Sequence, residues 1–168
     1  MHGKLSAEWI DPTLVSAWNT FNIAGRVRAD PESPDSKKQD ADARLHESLD
    51  RLVNTVDVTK VFYIQLVDAE QLDSPLDKNH PYYVEGQPAP MSWSRNARCF
   101  MYETARGAYL PVEEVTRAII RKVGYRGFVS MELFSRTMSD PDPQVPYTHA
   151  QRGIQSWAKI FEHLGLDK

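Results

Sequence analysis

Cysteine is almost absent from this sequence, and Cys99 has no partner for an intrachain disulfide. We therefore expect a protein of a reducing, cytoplasmic compartment. No apolar run approaches the roughly 18 residues that a membrane helix needs, and the first residues lack the apolar core of a secretory signal. A basic excess is also lacking, since 20 Lys and Arg stand against 23 Asp and Glu, so composition gives no reason to expect a nucleic-acid partner. The remaining composition, 41% hydrophobic and 26% charged over 168 residues, is typical of one soluble globular domain.

Hydrophobic periodicity predicts three helices, at about 40–56, 111–123 and 149–164. Asp40 is the expected N-cap of the first helix. Pro111 suits the first turn of the second helix. Gly124 and Gly165 are expected to end the second and third helices, because glycine is favoured just beyond a helix C-terminus.

Two strands are expected at 61–67 and 127–134, and a weaker one at 14–21. Strands and helices then alternate three times, which favours parallel β/α units. The connections that lead from strand to helix are long and cover residues 22–39, 68–110 and 135–148. In a β/α barrel the strand C-termini form the active face, where long loops commonly carry function.

Alternation along the two main strands separates polar from apolar side chains. The apolar faces, made up of Phe62, Ile64, Leu66, Val129, Met131 and Leu133, are expected to pack under the helices. Gln65 and Glu132 would then point into a barrel interior near its mouth. Oxygen ligands that converge from neighbouring strands suit Mg²⁺ or Mn²⁺. The alternative is a structural contact, such as an ion pair of Glu132 with Arg98 or Arg126, because a buried carboxylate needs a partner.

The longest connection contains WSRNARCF, residues 93–100, in which Ser94 precedes Arg98 by four positions. Together they could clamp a carboxylate or phosphate, because guanidinium binds either group through two parallel hydrogen bonds. The alternative is a solvated loop arginine. Asp68 and Glu70 extend the first strand into its loop and are equally suited to local capping or pairing.

Five stretches carry a family resemblance: TFNIAGR (20–26), FYIQLVDAEQL (62–72), HPYYVEGQPAPMSWSRNARCF (80–100), GYRGFVSMELFSR (124–136) and RGIQSW (152–157). Together they resemble fungal 3-dehydroshikimate dehydratases, which belong to the xylose isomerase-like, sugar phosphate isomerase/epimerase group of barrels. The resemblance implies an α/β fold, with about three C-terminal β/α units of a (β/α)8 TIM barrel over residues 19–168. Residues 1–18 form an atypical N-terminal segment.

The resemblance also implies a lyase of quinate catabolism that converts 3-dehydroshikimate to protocatechuate with one divalent metal, Mg²⁺ or Mn²⁺, with Co²⁺ as a further candidate. The family's metal ligands run Glu, Asp, Gln, Glu, and Gln65 and Glu132 match the last two. Ser94 and Arg98 match positions that hold the substrate. Asn19 replaces the family's Asp and would be a weakened third ligand, because it lacks the charge. The first Glu has no counterpart, and no general base is identified.

A complete barrel needs about 250 residues, so three β/α units would leave an unpaired strand edge. We therefore expect impaired activity and self-association through that open edge. The alternatives are a sugar isomerase or epimerase of the same barrel group, or a non-catalytic fragment.

Overall fold

The computed structural model describes residues 22–166. The chain divides into two compact units, whose boundary falls between Val56 and Asp57. The expected strand at 14–21 and the candidate ligand Asn19 lie outside the described residues. No helix between residues 22 and 166 combines the length and the apolar character needed to cross a membrane.

The described part of the first unit consists of two helices, α1 over residues 22–29 and α2 over Asp35–Thr55. The buried stripe of α2 contains Ala41, Leu45, Ser48 and Leu49. Arg28 Nε donates to Asp42 Oδ1 at 2.7 Å. The two helices are therefore joined by an ion pair. The hydrophobic periodicity that predicts this helix places Ala41, Leu45, Leu49, Leu52, Val53 and Val56 on one stripe; the first three are buried, and Val56, just beyond the helix, is 40% exposed.

Two predictions for this unit are wrong. A loop was expected over residues 22–39, but residues 22–29 are helical. The helix predicted to start at about residue 40, α2, begins at Asp35. Asp40, the expected N-cap, lies inside α2, where its carboxylate pairs with Arg44 at 3.0 Å. The first turn of α2 is entirely polar, so it gives no hydrophobic periodicity from which the helix start could be read.

The second unit contains a parallel pair of strands, β1 (Tyr63–Leu66) and β4 (Phe128–Met131). Their register sets Gln65 opposite Ser130. The predicted parallel pairing is confirmed, with both strands shorter than expected. The described residues thus form a mixed α/β architecture in which β1 and β4 make a sheet of two strands. A barrel is not seen in this part of the chain.

The stretch expected as one long connection, 68–110, contains ordered elements of its own. These are β2 (Asp68–Ala69), α3 (Ala89–Asn96) and β3 (Arg98–Cys99). β2 pairs antiparallel with β3. Because β2 follows β1 after a single residue, this pairing carries β3 to the carboxyl end of β1.

Two helices complete the unit, and both end as predicted. α4 (Val112–Arg117) continues into a π-helical turn, Ala118–Lys122, and α5 covers Val145–Leu164. Gly124 and Gly165 follow these helices with φ of 81° and 60°. This left-handed backbone conformation favours glycine, which has no Cβ to clash.

The hydrophobic core lies between α5 and one face of the β1–β4 sheet. Its buried members are Leu66, Met101, Ile160 and Leu164, and the side chains packed against them include Ile64, Val129 and Met131. The predicted apolar faces are therefore confirmed at their centres. Phe62 is 85% exposed, so the expectation that helices cover it is wrong. By alternation, Gln65 and Glu132 lie on the sheet face that points away from α5.

Candidate functional site

The candidate site lies at the carboxyl end of β1 and β4, where the chain leaves the sheet. Glu132 is the first residue after β4. β3 approaches from the side, since Arg98 is paired with Ala69 of β2 and its backbone N–H donates to the Phe134 carbonyl at 3.2 Å. The backbone of Arg98 is therefore fixed between the extensions of two neighbouring strands.

The Arg98 guanidinium joins the side chains that the sequence predicts for this end of the sheet. Its Nε and Nη2 both donate to Ser94 Oγ, at 3.2 and 2.8 Å, and its Nη1 donates to Glu132 Oε2. Its charge lies 4.9 Å from the ring centroid of Phe134. The ion pair considered as an alternative role of Glu132 is therefore present. Arg126, the other arginine considered, donates to backbone carbonyls near the amino end of β4 instead.

The four-residue spacing of Ser94 and Arg98 brings them together for a simple reason. Ser94 lies in the last turn of α3, and Arg98 follows just beyond the helix end. The chain leaves the helix at Ala97 and enters β3 at Arg98, and from there the guanidinium reaches back to the Ser94 hydroxyl. We call Ser94, Arg98, Glu132 and Phe134 the arginine cluster.

Gln65 is exposed on the same face as Glu132. Within residues 22–166 its amide makes no hydrogen bond or ion pair. Among these residues no group of three or more His, Cys, Asp and Glu is placed to hold a metal ion. An amide oxygen and a carboxylate oxygen on neighbouring strands nevertheless suit a hard divalent cation. The assignment of Gln65, Glu132 and Asn19 as metal ligands stays a prediction.

Asp68, which follows the β1 strand, is only 4% exposed. Its Oδ1 accepts hydrogen bonds from the backbone N–H groups of Ala69, Tyr109 and Leu110, at 2.7, 3.2 and 3.0 Å. Burial raises the pKa of Asp68 to about 6, although the three N–H donors favour the carboxylate. Asp68 thus ties the end of β1 to the segment that precedes α4, which is a local structural role.

A second arginine at this end, Arg136, was not singled out from the sequence. Its Nη1 donates to Glu70 Oε2 at 2.6 Å, and its guanidinium lies 5.8 Å from the ring centroid of Tyr82. The indole N–H of Trp93 donates to the Glu70 carbonyl at 3.0 Å. Arg136 thereby fastens the connection after β2 to the segment after β4. The sequence feature that could have indicated Arg136 is its position just beyond the strand predicted at 127–134.

Comparison with known proteins finds similarity to a curated enzyme. No family model and no solved structure matches the chain. A curated 3-dehydroshikimate dehydratase of Neurospora crassa is 53% identical over 155 residues, which make up 92% of this chain. The chain spans 43% of the length of that relative. The resemblance inferred from the five motifs is therefore confirmed: nearly the whole chain is similar to part of a 3-dehydroshikimate dehydratase.

Proposed function

We propose that this chain carries part of the active site of a metal-dependent lyase, which dehydrates 3-dehydroshikimate to protocatechuate in the breakdown of quinate and shikimate. The observation that supports this proposal is the arginine cluster. It lies at the carboxyl end of parallel strands, in a sequence 53% identical to a protein named for this reaction. Side chains at this end of a parallel sheet commonly bind ligands.

The role of Arg98 is to hold the substrate carboxylate. A guanidinium can offer a carboxylate two parallel N–H donors, which fixes the orientation of the acid as well as its position. Ser94 and Phe134 restrain the guanidinium from two directions, and the Arg98 side chain keeps 20% of its surface exposed. The group is therefore held in place and accessible at the same time.

The role of Gln65 and Glu132 is to supply oxygen ligands to a divalent cation, Mg²⁺ or Mn²⁺ and with Co²⁺ as a further candidate. Asn19 is the weaker third ligand of this proposal. When bound, such a cation stabilises negative charge that develops on a substrate oxygen as a proton leaves the neighbouring carbon. Glu132 contributes a charged ligand and Gln65 a neutral one. We assign no general base.

We place the second unit in a (β/α)8 barrel. Support comes from the parallel β1–β4 pair, from the apolar sheet face packed against α5, and from the polar residues on the opposite face. In such barrels the helices cover the outside of the sheet, and the functional side chains gather at the carboxyl ends of the strands.

The proposal is tested with the purified chain, Mn²⁺ and 3-dehydroshikimate. Substrate binding is measured by calorimetry, and protocatechuate is followed by its ultraviolet absorbance, with the Neurospora relative as positive control. We expect substrate binding that is lost in Arg98→Ala, and product formation slower than in the relative, because Asn19 lacks a ligand charge. Failure to bind 3-dehydroshikimate, both with and without Mn²⁺, would contradict the proposal.

A further inference from the structure

Glu70 joins three parts of the candidate site. Its backbone N–H donates to the Ala97 carbonyl at 2.7 Å, and its own carbonyl accepts the indole N–H of Trp93 at 3.0 Å. Its carboxylate accepts a hydrogen bond from Arg136 Nη1 at 2.6 Å. Glu70 therefore contacts α3, the residue that precedes Arg98, and the segment that follows β4.

The ion pair of Glu70 and Arg136 spans the segment that carries Arg98. Ala97 forms an antiparallel bridge with Ser135 on one side, and its carbonyl is bonded to Glu70 on the other. Arg136 follows Ser135 directly, and Ala97 between the two segments is fully buried. The ion pair therefore ties together the two segments that flank Ala97 and, one residue further along the chain, Arg98.

The same segments hold the side chain of Arg98. Its Nε and Nη2 donate to Ser94 on α3, and α3 is bonded to Glu70. Its guanidinium lies 4.9 Å from the ring centroid of Phe134, which belongs to the same segment as Arg136. A shift of either segment would therefore displace one of the two groups that restrain the guanidinium.

Burial makes this ion pair sensitive to the loss of one partner. The Glu70 side chain is 15% exposed, against 42% for Arg136. A carboxylate that is mostly removed from water and has lost its cation is costly in free energy. We therefore expect Glu70 to move towards water when Arg136 is replaced, and the backbone bonded to Glu70 to move with it.

We propose that Glu70 and Arg136 are positioning residues, whose ion pair sets the orientation in which Arg98 presents its guanidinium to the substrate carboxylate. A planar guanidinium makes its two-point contact with a carboxylate only when it is correctly oriented. This inference rests on the proposed function and adds to it a pair that acts through Arg98. The alternative is a pair that stabilises the fold and leaves the substrate affinity of the folded protein unchanged.

The first test measures the Kd of the full chain for 3-dehydroshikimate by calorimetry. Arg136→Gln should raise this Kd about fivefold, because Arg98 loses its fixed orientation. Arg136→Lys keeps the charge and should lie between Arg136→Gln and the wild type. Arg117→Gln is the matched control, because Arg117 on α4 also forms an ion pair, with Glu113 at 2.8 Å, and is 46% exposed. An unchanged Kd in Arg136→Gln would overturn the proposal.

The second test shows whether Arg136 acts through Arg98. Arg98→Lys has no planar fork to orient, so adding Arg136→Gln to it should raise the Kd by less than about twofold. If the effects of the two substitutions multiply in full, Arg136 acts on the substrate independently of Arg98, and the proposal is wrong. Glu70→Gln provides a second variant if Arg136→Gln loses its helical circular dichroism, and we expect the same dependence on Arg98.

The third test needs no substrate and observes the Nε–H group of Arg98 by nuclear magnetic resonance. Its hydrogen bond to Ser94 should protect this proton from exchange with water in the wild type and in Arg117→Gln, and its signal should broaden in Arg136→Gln. The two proposals can then fail separately. Broadening in Arg136→Gln, together with a wild type that does not bind 3-dehydroshikimate, overturns the substrate assignment alone. Substrate binding by the wild type, with an unchanged Kd and signal in Arg136→Gln, overturns the positioning role alone.

Discussion

At the scale of single residues, Asp68 shows how one side chain can fasten a loop. One carboxylate oxygen accepts three backbone N–H groups, two of them from the segment before α4. The Ala69 donor is buried and the other two are partly buried, so loss of these hydrogen bonds would cost free energy. The same burial raises the pKa of Asp68 to about 6. The side chain is therefore an anchor whose charge state changes in mildly acidic solution.

Asp68→Asn is expected to remove one component of the pH dependence of stability. The folded-state pKa is raised, so the folded protein binds more protons than the unfolded chain between about pH 4 and 6. The free energy of unfolding therefore falls as the pH rises through this window. The rise in the pKa of Asp68 from its ordinary value of 3.8 to about 6 corresponds to about 3 kcal/mol in the free energy of unfolding. Asparagine keeps an oxygen acceptor and cannot titrate, so its curve should be flatter.

Urea unfolding at several pH values measures this difference. The exposed Asp73 of the following connection provides the control, as Asp73→Asn should leave the wild-type slope unchanged. Equal slopes for wild type and Asp68→Asn between pH 4 and 6 would show that Asp68 is not the titrating group.

The substrate role that we propose for Arg98 also belongs to this scale. Arg98→Lys keeps the charge but loses the planar fork, so we expect the Kd for 3-dehydroshikimate to rise at least tenfold. Arg95→Lys on α3 makes the same chemical change away from the arginine cluster and should have no effect. Calorimetry decides between them, and an unchanged Kd in Arg98→Lys would remove Arg98 from the substrate site.

Part of the candidate site was predictable from residue patterns alone. Gln65 and Glu132 interrupt apolar strands, and Ser94 precedes Arg98 by four positions. The contact between Arg98 and Glu132 joins positions 34 apart, and the contact between Arg136 and Glu70 joins positions 66 apart. No local pattern encodes such distances, because they depend on how β3 returns to the carboxyl end of β1.

At the scale of elements, an ion pair joins α5 to the segment that follows β3. Arg152 Nε and Nη2 donate to the two carboxylate oxygens of Glu103, at 2.6 and 2.7 Å, and both side chains are mostly buried. Burial acts to raise the pKa of Glu103, but the hydrogen bonds from Arg152 and from the Phe100 N–H hold the pKa below its usual range. Ser156 Oγ adds a bond to the Met101 carbonyl at 2.9 Å.

Arg152→Leu is expected to destabilise the second unit by about 3 kcal/mol, because Glu103 would be left buried without its main partner. Arg106→Leu is the control. Arg106 approaches the same carboxylate at 3.6 Å and is 43% exposed, so its loss should cost less than about 1 kcal/mol. Chemical unfolding gives both values. The double variant Arg152→Leu with Glu103→Gln should recover part of the loss, and an additive or larger loss would contradict the buried-pair explanation.

The elements differ in how well local sequence predicts them. Strong hydrophobic periodicity predicts α5. Gly124 and Gly165 predict where the helical segments of α4 and α5 end. Residues 22–29, NIAGRVRA, were missed because this segment is short and contains Gly25, which is unfavourable inside a helix. The first turn of α2 was missed because its residues are all polar and give no periodic signal. The π-helical turn after α4 was also missed, since a π turn differs from an α turn by one residue and leaves no clear pattern.

At the scale of the whole molecule, the β1–β4 sheet has an uncovered face. Tyr63 and Phe128 are opposite each other in the register and are 62% and 74% exposed. Within the described residues, β1 and β4 each have one partner strand, so each leaves an edge without a partner. Exposed aromatic residues beside an unpaired strand edge favour association of chains.

We therefore expect the purified chain to self-associate, and Phe128→Ser to reduce this association. Ile154→Ser is the control, because Ile154 is a comparably exposed apolar residue, at 69%, on α5 rather than on the sheet. Sedimentation velocity at several concentrations measures the species present. A monomeric wild type, or equal effects of the two substitutions, would contradict association through the sheet.

The π-helical turn at Ala118–Lys122 has an evolutionary consequence. It holds one residue more than an α-helical turn would, so loss of one residue there converts it to regular helix while the flanking residues keep their phase. Arg121, which donates to the carbonyls of Leu164 and Gly165, would still face α5. A deletion inside α2 would instead rotate everything beyond it by about 100°. Homologous sequences should therefore tolerate a single-residue gap at this turn and exclude one from α2.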